Sequence, residues 1–121
     1  MMLRRLVASF RHAWTGLKTG WQKEYNLKVF TLVSAGVIIA MIGFRTSLLE
    51  NAILILTMSV MFSLELLNSQ IEKFLDIVSP QKNRLVKYVK DLSAGAVLVS
   101  AAGAVVIGLL IFLPHFLKWV K

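Results

Sequence analysis

Leu92-Ser-Ala-Gly95-Ala-Val-Leu-Val-Ser100-Ala-Ala-Gly103-Ala-Val-Val-Ile-Gly108-Leu-Leu-Ile-Phe-Leu-Pro114-His-Phe-Leu117 is a run of 26 residues without a formal charge. A bilayer core of about 30 Å needs roughly 20 apolar helical residues, so this run is long enough to cross. Two shorter runs precede it. Residues 29–44 are sixteen positions without a charge, continuing through Arg45 to Leu48 and Leu49, and a second stretch runs from Asn51 or Ala52 to Leu64. Glu65 interrupts that second stretch, which then reaches about Ile71.

The whole chain of 121 residues has the size of one domain, 1–121, and is 57% hydrophobic against 17% charged, with a mean hydropathy of +0.72. That is more apolar surface than so short a chain can bury in a core of its own. The expected fold is all-α and integral to the membrane. It has spanning helices over about 28–49, 52–76 and 90–117, a tight turn at 45–51, a longer basic connection at 73–91, and a separate helix over 1–25. The absence of cysteine removes disulfide scaffolds, thiolate metal sites and cysteine nucleophiles together. His12 and His115 are too far apart in sequence to suggest a zinc site.

Residues 1–25 read differently from the spans. Leu3, Leu6, Val7, Phe10, Trp14, Leu17 and Trp21 recur at helical spacing on one stripe, with Arg4, Arg5, Arg11 and Lys18 largely elsewhere. An apolar stripe with tryptophan anchors and a basic face marks a helix lying in the membrane interface, or one packed on protein. The segment has no uninterrupted apolar core before a small-residue cleavage site, so a cleaved signal peptide is not expected. The net charge of +8 is therefore read as a membrane-surface signal, with no nucleic acid partner. Eleven basic residues lie in the N-terminal segment and the second connection, against Arg45, Lys118 and Lys121 on the other side. Basic residues beside spans stay inside the cell, which puts the N-terminus inside the cytoplasmic (inner) membrane and the C-terminus outside.

The acids are few: Glu24, Glu50, Glu65, Glu72, Asp76 and Asp91. Glu65, Asn68, Glu72 and Asp76 fall within about 80° of arc on a helix, a polar stripe ~16 Å long running from inside a span toward the basic connection. A carboxylate at membrane depth is costly and marks a functional hypothesis. A general base at depth with a Mg²⁺ site at the interface would use such a stripe, with Glu24 as a second carboxylate. Lys90 and Asp91 stand at the start of the third span, where lysine and helix dipole both attract phosphate. The ensemble reads as phosphoryl transfer between a soluble nucleotide and an acceptor in the bilayer, although neither GxxxxGK[ST] nor GxGxxG occurs. A small proton-coupled transporter and a noncatalytic membrane subunit are the rival readings. The first normally has four spans, and the second leaves the polar stripe without a reason.

Glu65-Leu-Leu-Asn68-Ser-Gln-Ile-Glu72-Lys-Phe-Leu-Asp76, followed by Lys90-Asp91-Leu-Ser-Ala-Gly95-Ala-Val, resembles the ExxNxxIExxxD…KDxxAGAV signature of the prokaryotic diacylglycerol kinase family, which includes the undecaprenol kinases. Ala13-Trp14-Thr-Gly16-Leu17 and Trp21-Gln-Lys-Glu24-Tyr-Asn26 are similar to its N-terminal motif. The resemblance implies an ATP- and Mg²⁺-dependent lipid kinase built as a helical-bundle homotrimer of three-span protomers, each with a surface helix. It implies Glu65 as the general base and Glu24 and Glu72 as the Mg²⁺ carboxylates. Asn68, Asp76, Lys90 and Asp91 would lie around the nucleotide and the transferred phosphate, with Arg5, His12, Lys82 and Asn83 toward the nucleotide. Residues 61–69 and 108–114 look more like the undecaprenol-kinase branch than the branch that recycles diacylglycerol.

Overall fold

The helix breaks decide how the bundle is built. In the computed structural model, which describes residues 1–81 and 83–121, the helices are α1 (Met2–Lys23), α2 (Tyr25–Phe44), α3 (Leu48–Val78) and α4 (Arg84–Val120). There is no strand among the described residues. The last three are long and apolar enough to cross a membrane.

One residue separates α1 from α2. Glu24 takes an extended conformation while its N–H still donates to the Gly20 carbonyl at 2.8 Å. α2 restarts at Tyr25, so Lys28, one of its first residues, is helical and lays its ammonium 5.6 Å from the Trp21 ring centroid. That contact, with the Trp21 indole N–H donating to Thr31 Oγ1 at 2.8 Å, fixes the angle between the surface helix and the first span. Leu27, 2% exposed, fills the junction. A Cβ on Gly20 would meet Leu66 and Leu27 at 3.5 and 3.7 Å, so α1, α2 and α3 close together at this point.

The turn between α2 and α3 is shorter than the expected 45–51. Arg45 ends α2 in the left-handed region, φ 53°, and Ser47 already caps α3. The cap is reciprocal: the Glu50 N–H donates to Ser47 Oγ at 3.1 Å, and the Ser47 N–H donates to Glu50 Oε1 at 2.9 Å. Thr46 is buried, its hydroxyl set between the Met41 carbonyl and Asn51 Oδ1.

The second connection is also shorter than the expected 73–91. α3 continues through the charged residues to Val78 because nothing in them breaks a helix, and stops where Pro80 pushes Ser79 away from helical backbone. Asn83 then caps α4 by accepting from the Val86 N–H at 2.8 Å. At 1.5 Å per residue α2 measures about 30 Å, α3 about 46 Å and α4 about 55 Å. α2 matches the hydrocarbon, while α3 and α4 overrun it.

α3 and α4 pack along each other more extensively than any other pair. Phe30 meets Phe62 edge-on at 6.3 Å, tying α2 to α3. Phe44 meets Phe112 at 6.1 Å, tying α2 to α4. At the same far end His115 Nε2 lies 3.1 Å from Glu50 Oε1. Among the described residues the buried apolar side chains are Leu27, Leu54 and Ile111, which is the inside-out distribution of a chain solvated by lipid. Of the small residues of α4, Ala104 and Gly108 border a cavity of about 290 Å³ between α2, α3 and α4.

Replacing Ser47 by Ala removes half of the reciprocal cap. It should lower stability in detergent micelles by about 1 kcal/mol, read from the midpoint of thermal unfolding. An unchanged midpoint would mean that Thr46 and Arg45 hold the turn without it.

Candidate active site

The polar stripe lies on an unbroken helix, and its exposure changes along its length. Glu65 is buried, 2% exposed. Asn68 is half-buried, and Glu72 and Asp76 are exposed. Glu65 stands seventeen residues into α3, about 26 Å from its start. This is close to the far boundary of a ~30 Å core rather than at mid-bilayer. The Asn26 amide Nδ2 donates to Glu65 Oε1 at 3.2 Å, and Asn26 is the second residue of α2. The buried carboxylate therefore sits level with the start of α2.

Around it the structure divides the sequence-predicted residues into two groups. On one side of α3 a cavity of about 520 Å³ is lined by His12, Gly16, Glu24, Ser69, Gln70 and Lys73, among others. Here Lys73 Nζ reaches Glu24 Oε1 at 3.0 Å, crossing from α3 to the elbow. Along the start of α4, Asn83, Lys87, Lys90 and Asp91 border a second cavity of about 520 Å³. Lys90 Nζ pairs with Asp76 Oδ1 at 2.6 Å and so joins α4 to the foot of α3, while Asp91 pairs with Lys87 on its own helix at 2.7 Å. Lys73 and Lys90 both also feel the Glu72 carboxylate.

Arg5 is exposed on α1, outside both cavities. Asn83 serves as the α4 cap, and Lys82 lies outside the described residues. The sequence reading leaves Lys73 as a neighbour of the interfacial acids and gives Asn26 no role. Both act between helices, across 49 and 39 residues of chain, where periodicity along one helix carries no signal.

A third cavity, of about 440 Å³, is apolar and lies against α1, lined by Trp14, Leu17, Trp21, Leu27, Phe62 and Leu66, with Lys18 and Gln22 at its edge. Leu17 and Leu66 also line the cavity that holds Glu24. An apolar compartment and a charged one thus share a wall at Leu66, the residue after Glu65.

The carboxylates present suit Mg²⁺. Among the described residues no three His, Asp or Glu groups gather into a metal-holding cluster, and Mg²⁺ is commonly held by one or two carboxylates with phosphates and water completing the shell. Glu24 and Glu72 offer hard oxygens at the same end of the bundle. The lysine on Glu24 is 63% exposed, so a cation can replace it.

Three membrane-spanning helices with an interfacial helix, and ionisable groups gathered at one end around a buried carboxylate, define a membrane-embedded enzyme. Residues 11–112 match the prokaryotic diacylglycerol kinase family. The chain belongs to that family and is a lipid kinase. It is 39% identical over 112 residues to the undecaprenol kinase of Bacillus subtilis, covering 93% of this chain and 91% of that one. It is 35% identical over 114 residues to a diacylglycerol kinase of Synechocystis, covering 93% and 65%. It is 24% identical over 112 residues to the diacylglycerol kinase of Escherichia coli K12, covering 93% and 92%.

The pair formed by Lys73 and Glu24 is exposed enough that it should contribute little to folding. In a double-mutant cycle of Lys73→Met and Glu24→Gln, the coupling in thermal stability should be indistinguishable from zero. A large favourable coupling would make the pair a strut that holds the elbow.

Proposed function

We propose that residues 1–121 form one kinase domain that transfers the γ-phosphate of ATP to the hydroxyl of undecaprenol at the cytoplasmic face of the inner membrane. The observation that carries this reading is the position of Glu65. It is a buried carboxylate at interface level, next to the wall shared by an apolar cavity and a charged one. A lipid alcohol presents its hydroxyl at that level with its chain in the bilayer, and a nucleotide approaches from water.

In this reading Glu65 takes the proton of the lipid hydroxyl as its oxygen attacks the γ-phosphorus. The new O–P bond forms as the bond to the β,γ-bridging oxygen breaks, and ADP leaves. Glu24 and Glu72 would hold Mg²⁺, which when bound neutralises phosphate charge and orients the transferred group. Lys90, Asp76, Asp91 and Asn68 are assigned to the nucleotide and the transferred phosphate, with support from the Lys90–Asp76 pair and from the cavity that Lys90 and Asp91 border. Arg5, His12, Lys82 and Asn83 are assigned to the outer nucleotide contacts, His12 with support from its place on the Glu24 cavity. The excess of lysine and arginine at this end supports a cytoplasmic N-terminus and an external C-terminus. The small buried core supports assembly as a homotrimer.

Undecaprenol as acceptor is supported by the undecaprenol kinase to which the chain is 39% identical over 112 residues. Diacylglycerol is the second reading, supported by the relatives named for it. Phosphate transfer from γ-labelled ATP should be measured to undecaprenol and to dioleoylglycerol side by side in mixed micelles. Labelling of undecaprenol well above dioleoylglycerol is expected, the reverse would install the second reading, and labelling of neither would overturn both. Glu65→Gln should lower turnover by roughly 10²-fold or more with MgATP binding retained, whereas near-normal turnover removes Glu65 from the role of base. Glu72→Gln should raise the Mg²⁺ concentration needed for half-maximal rate, and an unchanged titration would exclude it as a metal ligand.

A further inference from the structure

We infer that Asn26 is the positioning residue of Glu65, holding one carboxylate oxygen so that the other faces the acceptor hydroxyl. The inference rests on the reading of Glu65 as the base. Its structural ground is separate: Oε1 accepts from Asn26 Nδ2 at 3.2 Å, and among the described residues Oε2 accepts no hydrogen bond. It is the oxygen free to take a proton.

The chemistry of the donor matters. An ionised carboxylate only accepts hydrogen bonds, so the amide must turn its NH₂ toward Glu65 and its orientation is fixed by chemistry. A lysine or arginine in this place would compensate the buried charge fully and compete with the acceptor for it. A neutral amide relieves desolvation, orients the group, and leaves the negative charge to be discharged by the incoming proton.

The backbone that carries Asn26 is fixed on both sides. Leu27, the next residue, is 2% exposed, and Glu24, two residues before, forms the elbow and reaches Lys73. One short segment therefore presents a carboxylate to the charged cavity and an amide to the base. A shift of the elbow would move both together, linking the nucleotide side to the proton acceptor.

The test is a kinetic double-mutant cycle with Asn26→Leu, Glu65→Gln and the double variant, measuring kcat and KM for MgATP in mixed micelles with the lipid alcohol that the parent protein phosphorylates. Loss of one hydrogen bond to a charged group corresponds to about ten- to a hundredfold in rate. Asn26→Leu should lower kcat by about that factor and leave KM for MgATP within about twofold. In the Glu65→Gln background the same substitution should cost nothing further, since the group it positions is gone. An unchanged kcat for Asn26→Leu beside an impaired Glu65→Gln would overturn this inference and spare the base. An equal loss in both backgrounds would show that Asn26 only supports the fold, and a near-normal Glu65→Gln would overturn both claims. Should Asn26→Leu not accumulate as folded protein, Asn26→Ala carries the same test, removing the donor without adding bulk.

Discussion

A carboxylate kept out of water on a helix that faces lipid must be given a polar partner, because burying it without one is costly. Glu65 is that carboxylate, and much of the architecture follows from keeping it where it is. Its partner comes from the first turn of α2, so α2 must begin at the depth of Glu65. For α2 to begin there, α1 must end abruptly, and a single extended residue, Glu24, turns the chain from the interface into the membrane. Trp21, Thr31 and Lys28 hold that turn at a fixed angle, and Leu27 with Gly20 lets the three helices approach closely enough for the amide to reach. None of these contacts is large. They converge within about a turn and a half of helix on each element, where Leu27 and Glu65 are both buried.

Helix length does the rest. α2 is about as long as the hydrocarbon is thick, whereas α3 and α4 extend beyond it by about 16 and 25 Å. The overhang brings acids and lysines of two helices side by side in the headgroup and water layer, where a charge is affordable and a phosphate is soluble. The far end has no such overhang. It is closed by a reciprocal cap, a buried threonine and the contact of Glu50 with His115, groups that satisfy helix ends. Two ends of one bundle thus carry similar residue types for different reasons, and what distinguishes them is how much helix stands outside the membrane.

The apolar runs and the spacing of the acids made the helices and the polar stripe readable from sequence. An uncharged run of 26 residues has few other fates, and four polar residues at helical spacing must share a face. The boundaries were less legible. A tight turn looks longer when Ser47 is not recognised as a cap with Glu50 three residues on, and charged residues such as Lys73 and Lys87 look like a loop when they are the water-exposed turns of a long helix. The limits of α3 and α4 were set by Pro80 and Asn83, residues with local mechanical roles that are easily passed over beside a signature of acids. Harder still were the pairings. The bond between Asn26 and Glu65, and the ion pairs of Lys73 with Glu24 and Lys90 with Asp76, join separate elements, and only three-dimensional packing brings their members together.

Those pairings bear on how such a site could work. At the charged end Glu24, Asp76 and Asp91 each already have a lysine on them, and those lysines are partly or largely exposed. Exposed ion pairs are weak and exchange readily. A magnesium nucleotide brings both signs of charge, a cation that can displace Lys73 from Glu24 and phosphates that can draw Lys73 and Lys90 away from their acids. Binding would then exchange one set of ion pairs for another with little net change in local charge, so the site need not hold uncompensated acids beside a low-dielectric membrane while it waits. Glu65 is different, being buried and held by a neutral amide. No arriving cation is needed to release it, which is what the proposed base would require.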